Sequence, residues 1–171
     1  MSIITATPRE ERPLAFDPKE QRRIMGLFAT GVTVVSTRVG EETWGMTANA
    51  ITSLSLDPPL VLVAVQKESQ TQTYLNESGF FAVSILREEQ ESISTRFAST
   101  GPKDFSGLQT RTAITGAPIL VDALGYVDCR VHEVASGGDH DIFIGEIVAG
   151  AAGEGNPLLF YAGKYARLSS S

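Results

Sequence analysis

The sequence predicts a mainly β domain, an antiparallel barrel, closed or partly closed, with a few helices at its periphery. Two observations carry this. Short apolar or alternating runs recur along the whole chain with turn residues between them, and only two segments have the caps and spacing of helices.

The first helix is predicted from Asp17-Pro18-Lys19-Glu20, which offers an N-cap, a proline at the first helical position and a glutamate behind it. Ile24, Leu27 and Phe28 share a face, and Gly31 is suited to closing the helix, which places its end near Ala29 or Thr30. VTVVST from Val32, a polar turn at Gly40-Glu41-Glu42 and TWGMTANA from Thr43 read as a hairpin. LVLVAV, residues 60–65, is apolar at every position and predicts a strand covered on both faces at the centre of the sheet. FFAVSI, residues 80–85, is another strand, and Arg87 to Phe97 is the second helix, with Ile93 and Phe97 four residues apart. Ser99 to Pro118, rich in Gly, Thr and Pro, is a long irregular connection. YVDCRVHEV then alternates, setting Val127, Cys129 and Val131 against Asp128, Arg130 and His132 as a half-exposed strand; GGDHD turns, and IFIGEIVAG is its return strand.

A length of 171 residues, 42% hydrophobic and 20% charged, suits one domain with a real core. Residues 1–15 mix proline and charge and read as a flexible arm, leaving 16–168 as the domain. A net charge of −6 argues against nucleic acid, which needs a basic face. No apolar run approaches the roughly 20 residues that span a bilayer, and a single cysteine, Cys129, gives no internal disulfide, so the expected location is the cytoplasm and no membrane is involved. Dinucleotide-binding glycine fingerprints, phosphate loops, paired-cysteine metal motifs and nucleophile elbows are all missing, which removes the usual markers of Rossmann, hydrolase and metal chemistry.

The most informative stretch is GMTANAITSLSLDPPLVLVAVQKESQT, Gly45 to Thr71. Together with LFATGVTVVST from Leu27, Arg96-Phe97-Ala98, GDHDIFIGEI from Gly138 and LLFYAGKYARL from Leu158, it resembles the flavin reductase family with the FMN-binding split-barrel fold, the small reductase components of two-component flavin monooxygenases. The resemblance runs in order from about Phe16 to Leu168. It implies an antiparallel, Greek-key-like split β-barrel with a few peripheral helices, and an NAD(P)H:flavin oxidoreductase that reduces FMN or FAD. It also implies a homodimer and a separate oxygenase that receives the reduced flavin.

An isoalloxazine ring needs a flat slot and hydrogen-bond partners along its pyrimidine edge. Thr47, Ala48, Asn49, Ser53, Leu54 and Ser55 supply small side chains, hydroxyls and backbone groups for this, although by spacing alone they are ordinary strand and turn residues. Gln66, Lys67, Ser69 and Thr71 follow the apolar strand, where a cation, hydroxyls and free amides suit the flavin phosphate; the plainer reading is a solvated turn. Phe97 either borders the flavin or belongs to the core. The resemblance associates His140 with the nicotinamide, with Tyr165 flanking the same pocket, while Asp139 shapes the turn and His132 lies on the surface. Hydride transfer needs stacked, aligned rings and no protein acid or base, so no catalytic side chain is expected. Without an arginine cluster for a 2′-phosphate, NADH is favoured over NADPH. The alternatives are a flavin-binding electron carrier or sensor, a split-barrel oxidase with a dedicated organic substrate, and a non-enzymatic protein-binding barrel.

Overall fold

Asp17 starts the first helix as its sequence requires, its carboxylate accepting from the Lys19 amide at 2.9 Å with Pro18 in the first turn. In the computed structural model, which describes residues 16–101 and 103–169, this helix, α1, spans Pro18–Met25. The arm expected over residues 1–15 lies outside the described residues. α1 stops at Gly26, short of Ala29 or Thr30, because the apolar residues that extended the pattern are not buried: Leu27 is 57% exposed and Phe28 71%. Gly31 lies in a strand, β1 (Thr30–Gly31), instead of closing the helix.

The predicted hairpin forms as β2 (Thr33–Val39) and β3 (Glu42–Ala48). β4 (Ile51–Leu56) and β5 (Pro59–Gln66) pair next, with a bulge at Leu54 between Ser53 and Ser55. A helix that the sequence reading did not foresee follows, α2 (Gln70–Ser78), capped by the Ser69 hydroxyl at one end and by left-handed Gly79 at the other. β6 (Phe80–Ile85), a 3₁₀ turn at Glu88–Gln90 and α3 (Glu91–Ala98) match expectation. The irregular connection then holds β7 (Thr110–Arg111), which pairs with β8 (Ile119–Leu120). Two long strands, β9 (Gly125–Gly137) and β10 (His140–Ala152), precede the closing pair β11 (Leu159–Tyr161) and β12 (Lys164–Ala166), which join β1 in a small sheet.

The main sheet has seven strands in the order β3-β2-β6-β9-β10-β5-β4, every pair antiparallel. Laid flat, its edge strands β3 and β4 would stand about 29 Å apart at the usual strand spacing. Only Asn49 and Ala50 separate them in sequence, and Ala48 to Ile51 can reach roughly 11 Å. The sheet therefore curls until its edges meet. Its interior is filled by Val35, Val61, Val63, Val65, Phe81, Cys129 and Phe143 from successive strands. On the other face of β2, Val34 joins Leu86, Phe97, Phe105, Leu120 and Leu158 in a second cluster under α3.

Two expectations change here. β5 is not central: β9 holds the middle of the order, and β5 is apolar throughout because Val61, Val63 and Val65 fill the interior while Leu62 and Ala64 are half-buried. Asp128 is not on an exposed face: it is fully buried, and its carboxylate accepts from the Ile114 and Thr115 amides, each at 2.8 Å, and from the Thr115 hydroxyl. Those bonds fasten the irregular connection to β9 and satisfy a charge that could not otherwise stay inside.

The interior tolerates no added bulk at Gly145, where a Cβ would stand 2.5 Å from Phe81 Cζ and 2.8 Å from Cys129 Cβ. Gly145→Ala is expected to destabilise the fold by about 1–3 kcal/mol, seen as a lower urea midpoint. Burial, helped by the Asp128 charge, pushes the Cys129 thiol up to about 12. Alkylation near pH 8 is accordingly expected to be slow in the folded protein and fast after denaturation, because almost no thiolate exists before unfolding.

Candidate functional site

The junction that closes the barrel also builds a cavity. Asn49 and Ala50, with Thr52 and Ser53 at the start of β4, form one side of a cleft of about 900 Å³. Met25 and Phe28, just past α1, and Thr30 and Gly31 of β1 form another, and β5 contributes Leu62 and Ala64. Val83, Val127 and Ile147, packed on the interior cluster, line it from beneath. Small residues at Gly31, Ala50 and Ala64 keep the space open, and the Ala64 amide donates to the Ala50 carbonyl at 3.1 Å, holding the junction against β5.

Few polar groups face this apolar space. The Thr33 hydroxyl is committed to the Ala48 carbonyl at 2.7 Å. Thr30 Oγ1 is buried and has no partner, the only such side-chain atom among the described residues. An orphaned buried hydroxyl costs about 1–3 kcal/mol. It is the kind of group that a ligand satisfies.

A recess of about 150 Å³ adjoins the cleft, with Asn49 bordering both. Thr47, Ser94 and Tyr165 meet there: Thr47 Oγ1 donates to the Ser94 carbonyl at 2.6 Å, and the Ser94 and Tyr165 hydroxyls are 2.7 Å apart. Of the expected flavin wall, Ser53 lines the cleft, Thr47 lines the recess with Tyr165, and Asn49 borders both. Other residues of that wall lie elsewhere. Ala48 faces the interior cluster, while Leu54, 46% exposed at the bulge, and Ser55 line neither cavity. Phe97 does not border the site either: it is 1% exposed and packs 4.7 Å from the Phe105 ring, since α3 lays it over Gly45.

The expected phosphate turn sits farther along β5. From Ala64 to Lys67 is three residues, about 10 Å of strand and the scale of a ribityl phosphate chain. The Ser69 hydroxyl caps α2 through the Gln72 amide, and buried Thr71 accepts from the Trp44 indole at 2.9 Å. The first amides of α2, at Gln70 and Thr71, have no intrahelical acceptor, a favourable setting for an anion. Glu68 takes a left-handed backbone, φ +60°, to make this corner. The Lys67 ammonium is not free for a phosphate: it donates to Ser136 Oγ at 2.7 Å and to the Gly138 carbonyl at 2.8 Å. His140 lines neither cavity; it opens β10 opposite Gln66, and its Nδ1 lies 2.8 Å from Asp139 Oδ1, a contact that holds the Asp139 carboxyl below its usual range.

Sequence reasoning missed Met25, Phe28 and Thr30. Their one signal was an apolar pair, Leu27-Phe28, beyond a glycine that could end the helix earlier. Among the described residues no group of acidic, histidine or cysteine side chains is arranged to hold a metal, and no helix is long and apolar enough to cross a membrane.

Fold and cavity together define an antiparallel barrel with a largely apolar cleft at its seam, edged by Asn49 and Ser53. Residues 25–169 match the flavin reductase like domain, and the protein belongs to that family. It is 38% identical over 152 residues, 88% of this chain and 78% of the relative, to HsaB of Rhodococcus jostii, the reductase subunit of a flavin-dependent monooxygenase. It is 39% identical over 180 residues, 99% of this chain and 95% of the relative, to an NADH-dependent FAD reductase of Streptomyces globisporus. The solved flavin reductase PheA2 superposes with a TM-score of 0.84 at 39% identity, over 91% of this chain and 100% of that one. The split-barrel fold expected from the resemblance is thereby established.

The small and polar residues lining the cleft are compatible with a flavin, and the orphaned Thr30 hydroxyl offers a check. Thr30→Val keeps the shape and removes the group. The flavin-free protein is expected to keep or raise its urea midpoint, while flavin binding, followed by fluorescence quenching, weakens about tenfold.

Proposed function

We propose that the protein oxidises NADH and passes the hydride to FMN or FAD, releasing reduced flavin to a separate oxygenase component. The observation that carries this is the apolar cleft at the barrel junction, with Asn49 on its wall and Thr30, whose hydroxyl is buried without a partner, among its lining residues. Members of the same family similar to this chain are named as NADH-dependent flavin reductases and as reductase components of monooxygenases.

When bound, the flavin supplies the hydride-accepting ring, and the chain supplies position. Asn49 and Ser53 present an amide and a hydroxyl to a ring edge, and Thr47 is anchored on Ser94, fixing that wall. The unpaired amides that open α2, at Gln70 and Thr71, would receive the phosphate. His140 and Tyr165 are assigned to the nicotinamide side. Rate comes from holding two rings in register and excluding water, not from a titrating residue.

The active form is proposed to be a homodimer in the cytoplasm. Leu56, 91% exposed on edge strand β4, and Phe28 beside the cleft form apolar surface that a second copy would cover.

The test is to follow loss of the nicotinamide absorbance with NADH and, in turn, FMN, FAD and riboflavin. Rapid protein-dependent oxidation is expected, and flavin binding without turnover would sink the reading. Asn49→Ala is expected to weaken flavin binding about tenfold, the scale of one or two lost hydrogen bonds, with little change in thermal stability.

A further inference from the structure

Lys67 stands where a phosphate ligand was expected, yet its ammonium is turned the other way. It reaches the tip of the β9–β10 hairpin, donating to Ser136 Oγ at 2.7 Å and to the Gly138 carbonyl at 2.8 Å, with Asp141 Oδ1 at 3.8 Å. Two of its three ammonium protons are thus hydrogen-bonded to one hairpin, and the Asp141 carboxylate of the same hairpin adds a longer ion pair. The Lys67 amide donates to the Asp139 carbonyl at 3.0 Å, and Gln72 of α2 donates to the Asp141 carboxylate. The corner after β5 and the hairpin that carries His140 are therefore joined at both backbone and side chain.

The hairpin tip lies where the β5–β10 ladder ends. Its turn is two residues long, Gly138 with φ +72° and Asp139, and beyond the Gln66–His140 pair β5 offers no further ladder partner. We infer that Lys67 is a positioning residue that straps the Gly138–His140 hairpin to the corner after β5, setting where the nicotinamide is held relative to the flavin, and is not a ligand of the flavin phosphate. The inference rests on the reductase reading. Charge complementarity agrees, because Asp139 and Asp141 flank the hairpin tip and Lys67 is the cation set against Asp141.

The test compares Lys67→Met, which keeps the stem and removes the charge, with Lys67→Arg, using FMN and riboflavin as acceptors that differ only in the phosphate. For Lys67→Met the NADH KM is expected to rise about tenfold with either acceptor, while the Kd for FMN and for riboflavin stays within about twofold of wild type. Lys67→Arg should recover much of the NADH KM. Ser136→Ala, which removes one acceptor of the strap, should raise the NADH KM less, and its effect should shrink in the Lys67→Met background because both cut the same contact. If FMN binding weakened tenfold while riboflavin binding did not, Lys67 would be a phosphate ligand and the inference would be overturned. Unchanged NADH and flavin constants in Lys67→Met would overturn it equally, and Ser136→Ala carries the same decision should Lys67→Met not fold. Failure of the reductase reading looks different: wild-type protein would then show no flavin-dependent NADH oxidation at all.

Discussion

A seven-stranded antiparallel sheet whose first and last strands are joined by Asn49-Ala50 has no freedom to stay open. The covalent chain brings β3 and β4 within a short reach of one another, and hydrophobic burial of Val35, Val61, Val63, Val65, Phe81 and Phe143 makes the curled form favourable. Closure then has a chemical consequence. Where two edges meet through a short peptide, backbone cannot pair continuously and side chains must stay small, so a cleft is left at the seam. Ala50 faces Ala64 there, and Asn49 stands between the cleft and the recess of Thr47, Ser94 and Tyr165. The site is a product of the topology and not an addition to it.

Close approach elsewhere keeps that seam in place. Phe97 lies so near Gly45 that a Cβ would meet its ring at 2.6 Å, which lets α3 sit low over β3. From this position the Ser94 carbonyl and hydroxyl reach Thr47 and Tyr165, tying α3, β3 and the closing strand β12 around the recess. Across the molecule, Asp128 performs a similar office for the long connection through Ile114 and Thr115. Both devices use a buried polar group whose partners come from a distant segment, and both raise the cost of any mutation that leaves such a group alone.

Legibility from sequence followed the range of the interaction. The β2–β3 hairpin, β5, β6 and the β9–β10 pair were readable because alternation and turn chemistry are local. α2 was missed since QTQTYLNES is polar and buries only Thr71 and Leu75, so its pattern is faint although Ser69 and Gly79 signal its ends. α1 was drawn too long because Leu27 and Phe28 continue a helical stripe, whereas their role beyond Gly26 is to border the cleft or lie exposed beside it. Asp128 was read as exposed for a related reason: its partners are 13 and 14 residues away in an irregular segment that no periodicity describes. Asn49, Ser53 and Tyr165 are singled out only by the family pattern, and each lines the cleft or its recess. Thr30 is not singled out, because an unpartnered hydroxyl is a property of packing.

β5 links these levels. Its inward valines help make the core, Leu62 and Ala64 line the cleft, and its last residue pairs with His140 before the chain turns into α2. Groups fixed along one antiparallel strand keep their spacing to within the small flexibility of a paired ladder, about 3.3 Å per residue. The cleft, the opening of α2 and the Gly138–His140 hairpin are thus referred to a single rigid element. A reaction whose bond changes lie in two cofactors asks a protein chiefly for constant distance and orientation, and a shared strand supplies both. Strength can then be sought in the connections to β5: the Ala50–Ala64 bond at one end and the tie between the Lys67 corner and the hairpin at the other.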